Sequence, residues 1–345
     1  MALLLERTYG TASQSGARED LSNLIANVDA KSTVFSSMAK KGKKPGNVLM
    51  SWQMDEYETP TAAGTIDGTD VTAANLVSDA TANPGRHRAL AQNYAQIFRR
   101  SFRISSLANE IQVVAGIKSE LANGIAKKLV ELKRDMELTF LNDADAQLDT
   151  GSAPYLTKSM GSFLHASGTG GGGSDLTVDA DFRNNANTTA KADEVTESIV
   201  QNILKQLFEN TGTIRDYDLL CGTALKRTFT SFTQSATGSA DRLAIKTFNT
   251  ESSEKAFINV IDVFEGDFGR LRLHPSTFIA EGGTAVNFKG YVIPFDQVEI
   301  RYGKLPQIKE LTDNGGGPAR LIEAVAALVV YNPKAFGYFD CASAT

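Results

Sequence analysis

Between residues 107 and 141 the apolar positions Leu107, Ile111, Val114, Ile117, Leu121, Ile125, Leu129, Leu132, Met136 and Phe140 recur in steps of three or four. That spacing is the mark of one apolar stripe along an α-helix. Asn142 and Asp143 end the run, and Lys127, Lys128, Glu131, Lys133, Arg134, Asp135 and Glu137 crowd its C-terminal half. At ~1.5 Å per residue a helix of ~35 residues would be about 50 Å long, and few globular helices reach that length. The mean spacing is nearer 3.6 than 3.5 and the flanking charges are irregular, which argues against a coiled coil.

The segment before this helix reads as two strands, 47–57 and 88–104, separated by about thirty residues rich in Thr, Ala, Gly and Asp, too many for a compact-domain loop. Their alternation, as in Val48-Leu49-Met50-Ser51-Trp52-Gln53-Met54, predicts a long antiparallel hairpin. An isolated two-stranded ribbon is marginal in water, so it is expected to rest on something outside its own chain. Trp52, Arg86, Arg88, Arg99, Arg100 and Arg103 are the candidate contacts to a neighbouring subunit. The arginines, interleaved with Tyr94, Phe98 and Phe102, suit either carboxylates on that neighbour or stacked nucleobases.

Residues 1–46 are polar and read as an arm, with a short amphipathic stretch at Leu21, Leu24, Ile25 and Val28. The arm ends in Lys40-Lys41-Gly42-Lys43-Lys44-Pro45-Gly46, a solvated basic segment suited to an acidic neighbour. Residues 159–191 contain Gly168-Thr169-Gly170-Gly171-Gly172-Gly173-Ser174 and read as a flexible loop; without Gly-Lys-Ser/Thr it is not a phosphate-binding loop. From 193 onward helices (195–209, 223–232) mix with strands (217–221, 256–264, 269–273, 291–300, 321–331), an α+β pattern without doubly wound regularity.

Chemistry-bearing clusters are missing from this order. His87, His165 and His274 are far apart in sequence, no G-x-S-x-G occurs, and Cys221 and Cys341 are too isolated for a zinc site or a disulfide framework. Asp143 with Asp145, or Asp55 with Glu56, have no EF-hand spacing and read as solvated acids. No catalytic, cofactor-binding or metal-ligating residue is assigned, although a dispersed triad leaves no sequence signature. A net charge of −5 excludes the strongly basic footprint of a dedicated nucleic-acid binder. No secretory signal or membrane span is evident, so synthesis in a reducing cytoplasm is expected.

Arm, long hairpin, long helix, glycine-rich loop and α+β region together resemble the Hong Kong ninety-seven-type major capsid proteins of tailed bacteriophages. The chain is similar in particular to a phage major-head family whose arm carries an Arg-Glu-Asp-Leu-Ser motif, here Arg18 to Ser22. Further matches are Asn93-Tyr94-Ala95-Gln96-Ile97-Phe98, Glu131-Leu132-Lys133-Arg134-Asp135-Met136-Glu137, Phe268-Gly269-Arg270-Leu271 and Val330-Tyr331-Asn332-Pro333-Lys334-Ala335.

The resemblance implies an N-arm (1–46), an E-loop hairpin (47–104), a peripheral domain with spine helix (105–192), an axial domain (193–320) and a C-terminal strand returning to the peripheral domain (321–345). It implies a non-enzymatic subunit that builds pentamers and hexamers of an icosahedral head in the virion. Scaffolding and portal proteins, a decoration protein, and packaged double-stranded DNA held by nonspecific contact are the implied partners. Some members join an E-loop lysine to a neighbour's asparagine, but here no lysine occurs between Lys44 and Lys118, so no such cross-link is expected. Two rivals stand beside this reading: an encapsulin-like bacterial compartment shell, and a soluble hydrolase or binding protein with an unusual hairpin.

Overall fold

The computed structural model describes residues 32–57, 60, 62, 64, 66–70, 88–107, 119–169, 176–191, 194–232, 248–249, 256–257, 262–281 and 289–341. The Arg18–Ser22 motif, Arg86 and His87 lie outside the described residues.

Two sheets organise the chain. A four-stranded sheet has the order β1-β12-β13-β4, formed by β1 (Lys40–Lys41), β12 (Val298–Leu311), β13 (Ala319–Val330) and β4 (Gln96–Arg103). A six-stranded sheet has the order β5-β14-β11-β6-β10-β9, from β5 (Asn187–Thr188), β14 (Gly337–Phe339), β11 (Gly290–Ile293), β6 (Arg215–Cys221), β10 (Gly269–Pro275) and β9 (Val263–Gly266). A ribbon pairs β2 (Leu49–Asp55) with β3 (Arg88–Tyr94), and β7 (Phe248–Asn249) pairs with β8 (Ala256–Phe257). With the intervening helices this is the expected α+β architecture.

The long helix is shorter than its periodicity predicts. Helix α2 runs over Glu120–Phe140, because Ser119 is extended (φ −155°) and its hydroxyl accepts the Ala122 N–H as an N-cap. Ser106 and Leu107 are helical, but 108–118 lie outside the described residues, and no single unbroken helix crosses Ser119. At ~1.5 Å per residue α2 spans about 31 Å. Its stripe of Leu132, Met136 and Phe140 is buried on the four-stranded sheet, with Phe98 meeting Phe140 edge-on at 6.1 Å.

Two segments expected as single strands are each broken between two sheets. In the first, Ala95 sits between β3 and β4 and donates its N–H to Val48, so β3 stays with the ribbon while β4 crosses to β13. Arg99, Arg100 and Arg103 therefore belong to the four-stranded sheet and not to the hairpin. In the second, Pro294 has no N–H to continue a ladder, and a turn from Pro294 to Gln297 sends β11 to one sheet and β12 to the other. Strand β12 then continues to Leu311, well beyond the expected end at 300.

The ribbon stem does not depend on a neighbour, contrary to expectation. Met50, Trp52 and Met54 alternate inward from β2, Ala89 and Ala91 from β3, and Trp52 packs on Phe163 with ring centroids 6.0 Å apart. Phe163 comes from α3 (Met160–Leu164), every residue of which is buried, so the supposed flexible loop begins as core. Gly161 permits this: a Cβ there would lie 2.9 Å from the Asn142 carbonyl and would also strike Asp143.

A second core packs α4 (Glu197–Thr211) and α5 (Thr223–Ser231) on the six-stranded sheet through Val200, Ile203, Leu204, Leu207, Leu225 and Phe229. Gly212, in the left-handed region at φ +66°, ends α4. Two further short helices are α1 (Val34–Met38) and α6 (Thr277–Glu281).

Candidate assembly surfaces

One surface is the face of the four-stranded sheet turned away from α2. Antiparallel register places Arg99, Glu323 and Gln307 in one row, Ile97, Val325 and Lys304 in the next, and Ser101, Leu321 and Lys309 beyond; Arg103, Ala319 and Leu311 follow. Arg99 donates to Glu323 at 2.7 Å, Lys304 also at 2.7 Å, and Lys309 lies at 3.8 Å. The hydrogen bond from Lys304, then that from Arg99, hold the Glu323 carboxyl down to about 2. Arg103 is exposed, as are Ile97 and Leu311. The result is a basic, partly apolar face organised around one carboxylate.

Of the other described candidates, Arg88, Arg100 and Trp52 are engaged within the chain. Arg88 pairs with Asp55 across the ribbon at 3.0 Å, and Arg100 holds Asp135 of α2 through two hydrogen bonds of 2.5 and 2.6 Å. Trp52 is buried against Phe163, which makes it part of the stem's packing. Sequence reasoning placed these side chains on one hairpin; the fold distributes them over the ribbon stem and two faces of a sheet.

The second surface is the connection that leaves the ribbon at Asp55. Tyr57 is 98% and Ile66 81% exposed, values no globular interior uses for aromatic or branched apolar side chains. Ile66 to Thr69 form a turn, with Thr69 N–H donating to the Ile66 carbonyl and Gly68 at φ +81°. The turn presents Asp67, and residues 66–70 are all exposed.

Three buried polar nodes fix these surfaces on the subunit; of their members the sequence had singled out Asp143, expected as a solvated acid and found instead bound to Lys289 and Tyr338. The carboxylate of Glu137, fully buried on α2, accepts the N–H groups of Phe35 (2.6 Å) and Ser36 (2.7 Å) and the Ser36 hydroxyl, anchoring α1. Burial pushes the Glu137 carboxyl up while these bonds oppose it. Lys158, also buried, donates to the carbonyls of Gly168 (2.7 Å) and Leu176 (2.8 Å), and burial lowers its ammonium to about 8.

At the third node Lys289 binds Asp143, Asp340 (2.8 Å) and the Tyr338 hydroxyl (2.9 Å), while Tyr291 stacks on Tyr338 and donates to the Leu141 carbonyl. Burial pulls the Lys289 ammonium down, but Asp143 and Asp340 outweigh it and raise it. This node ties the end of α2 to both β11 and the segment after β14. An acid one position off an apolar helical stripe, as Glu137 is beside Met136, is the signal that pointed toward the first of them.

The described residues bring no catalytic constellation together. His165, just after α3, lies 3.5 Å from Asp340, and His274 of β10 pairs with Asp218 of β6 at 2.9 Å. Among the described residues no group of three or more His, Cys, Asp or Glu could hold a metal ion, and no helix is long and apolar enough to cross a membrane. Burial pushes both the Cys221 and Cys341 thiols up to about 12, which leaves them poor nucleophiles.

Solved phage capsids share this arrangement. The subunit of the cyanophage P-SCSP1u capsid superposes with a TM-score of 0.55 at 8% identity, over 95% of this chain and 93% of that one. The cyanophage Pam1 capsid subunit gives 0.53 at 14% identity over 100% of both chains, and that of the native GTA particle 0.55 at 12% over 95% and 96%. The fold is thus that of a bacteriophage capsid subunit, of the Hong Kong ninety-seven type. The sequence makes the assignment narrower: the profile of the SU10 major capsid protein family matches residues 6–342, and the chain belongs to that family. No curated protein sequence matches it. It is a major capsid protein, a structural component of the virion shell.

Proposed function

We propose that this chain assembles as pentamers and hexamers into the icosahedral head of a tailed phage, enclosing double-stranded DNA, and that it acts by interlocking surfaces without catalysis. The observation that carries this reading is the exposed connection beyond Asp55: Tyr57 and Ile66 stand almost fully in solvent on a ribbon whose stem is firmly packed, as expected of a segment that is covered only in an assembly. In this reading the ribbon and its connection are the E-loop, and α2 with the four-stranded sheet forms the peripheral domain. The six-stranded sheet with α4 and α5 forms the axial domain, while β12, inside the 193–320 expected for that domain, goes with the peripheral sheet through its pairing with β13.

Synthesis takes place in the bacterial host cytoplasm, with scaffolding and portal proteins as assembly partners, a decoration protein on the finished shell, and DNA contacted nonspecifically. Arms and loops that bridge copies gain by avidity, since each further contact becomes intramolecular once the lattice exists, and closed symmetry limits the product. Electron microscopy of the purified chain, alone and with its scaffolding protein, tests the proposal. Closed shells support it; a chain that stays monomeric under both conditions contradicts it.

A further inference from the structure

We infer that Asn314, at the tip of the connection between β12 and β13, is a site of spontaneous covalent modification: it closes a cyclic imide with Gly315 and opens to aspartyl and isoaspartyl forms. The reaction needs only the folded subunit and water, so it stands apart from the shell-forming reading.

Asn-Gly occurs twice in the chain, at Asn123-Gly124 and Asn314-Gly315, and the fold treats the two pairs differently. Imide closure requires the backbone nitrogen of the following residue to reach the asparagine Cγ, and a following glycine has no Cβ to obstruct that approach. Asn123 lies in the first turns of α2, where its N–H donates to the Ser119 carbonyl at 3.1 Å. Gly124 is one residue further into the helix, with its N–H committed to the helical ladder. The helical ψ of about −42° holds that nitrogen away from the ring-closing geometry. Neither constraint applies at the second pair. Asp313, Asn314, Gly315 and Gly316 are exposed and belong to no helix or strand, and Gly315 sits in the left-handed region at φ +90°.

The loop also supplies the proton acceptor. Oδ1 of Asp313 accepts the Gly315 N–H at 2.9 Å and the Gly317 N–H at 3.0 Å. The Gly315 proton is the one that must leave before its nitrogen can attack, so the carboxylate is already seated on the reacting atom as a base. The far end of the loop is fixed to β4: the Ile104 N–H donates to the Pro318 carbonyl at 3.2 Å, and a Cβ on Gly317 would strike the Ile104 carbonyl.

In the first step the Gly315 nitrogen bonds to Asn314 Cγ, its proton passes through Asp313 to the departing amide nitrogen, and ammonia leaves. Water then opens the imide. Attack at Cγ gives aspartate, and attack at the backbone carbonyl leaves the chain running through the side chain as isoaspartate. Nothing is oxidised or reduced. Either product carries one negative charge that Asn314 lacks, and isoaspartate adds an atom to the backbone of the loop. Arg103 stands beside it, with Nη1 3.0 Å from the position a Cβ on Gly316 would take. The new charge therefore forms next to a cation of the basic face, which becomes less basic as the subunit ages.

The test incubates the full chain at mildly alkaline pH and maps its peptides over time by mass spectrometry, with isoaspartyl methyltransferase labelling of the same peptides. Conversion is expected at Asn314, with isoaspartate among the products, while Asn123 stays intact in the folded chain. In denaturant Asn123 is expected to convert as well. Asp313→Asn keeps an acceptor for both glycine N–H groups but removes the base, and is expected to slow conversion about tenfold. Asn314→Gln, whose longer side chain closes a ring far less readily, should remove the labelled peptide without changing the melting of the subunit. An Asn314 that stays intact in the folded chain, or an Asn123 that converts there as fast, would overturn the inference. A rate unchanged by Asp313→Asn would overturn the role given to Asp313.

Discussion

The backbone N–H of Phe35 donates to the carboxylate of Glu137 at 2.6 Å, joining the N-terminal segment to the last turn of α2 across 102 residues of sequence. With the Ser36 N–H at 2.7 Å on the second oxygen, the carboxylate serves two N–H groups of the first turn of α1. Burying an ionised carboxylate is unfavourable unless its oxygens are fully engaged, and here they are.

Glu137→Ala removes that engagement and leaves two N–H groups unpaired, at a cost of ~1–3 kcal/mol for each buried one. The expected outcome is a lower melting temperature and selective proteolytic release of the segment before Ala39, read by mass spectrometry of early digestion products. Unchanged protection of that segment would show that Phe35, packed on Phe140, holds it without Glu137.

Trp52→Ala should destabilise the free subunit by ~3–5 kcal/mol, the range for removing a large buried aromatic side chain. Trp52 packs on Phe163 within its own chain, so the loss is expected in chemical denaturation of unassembled protein. A variant that melts normally as a subunit and fails only in assembly would return Trp52 to an inter-subunit role.

Replacing Lys289 by Met leaves Asp143 and Asp340 facing each other beside buried Tyr338, and breaking a buried ion pair from one side costs ~3–5 kcal/mol. Thermal unfolding should fall accordingly, and the joint between α2 and the six-stranded sheet should exchange amide hydrogen faster at Leu141 to Asp143. Slow exchange retained there would assign the joint to the Tyr291–Tyr338 stack.

Glu323 links the basic face to pH. Its carboxyl is held at about 2, below its ordinary ~4.3, so the stabilisation it contributes is present above ~4.3 and is lost as pH falls toward about 2. The melting difference between wild type and Glu323→Gln should be constant from pH 5 to 8 on the order of a few degrees, and shrink through ~4 toward ~2. A difference that grows on acidification would contradict the assigned direction.

Since no lysine lies between Lys44 and Lys118, mature particles boiled in denaturant should release a single band at the 37.1 kDa monomer mass. A ladder of higher bands would reveal a covalent join from another lysine.

Much of the fold was legible because one period governs each element: the stripe Leu132, Met136, Phe140 for α2, and the alternation Met50, Trp52, Met54 for the ribbon. Strand breaks at Ala95 and Pro294 were not, since both sides of each break have strand composition and only the pairing partner changes. The capsid family is legible in short motifs that keep their order along the chain. The charged face was half visible: Arg99 and Arg103 stood out, but their meeting with Lys304 and Lys309 depends on register across some two hundred residues, which no local pattern carries.

The most direct measurement is sedimentation, followed by electron microscopy, of wild-type protein beside a variant lacking residues 62–83. Shells are expected from the wild type and, from the deletion, a folded subunit that sediments slowly and forms none, because the stem around Trp52 packs within its own chain while Ile66 to Asp70 stand exposed. Normal shells from the deletion would contradict it.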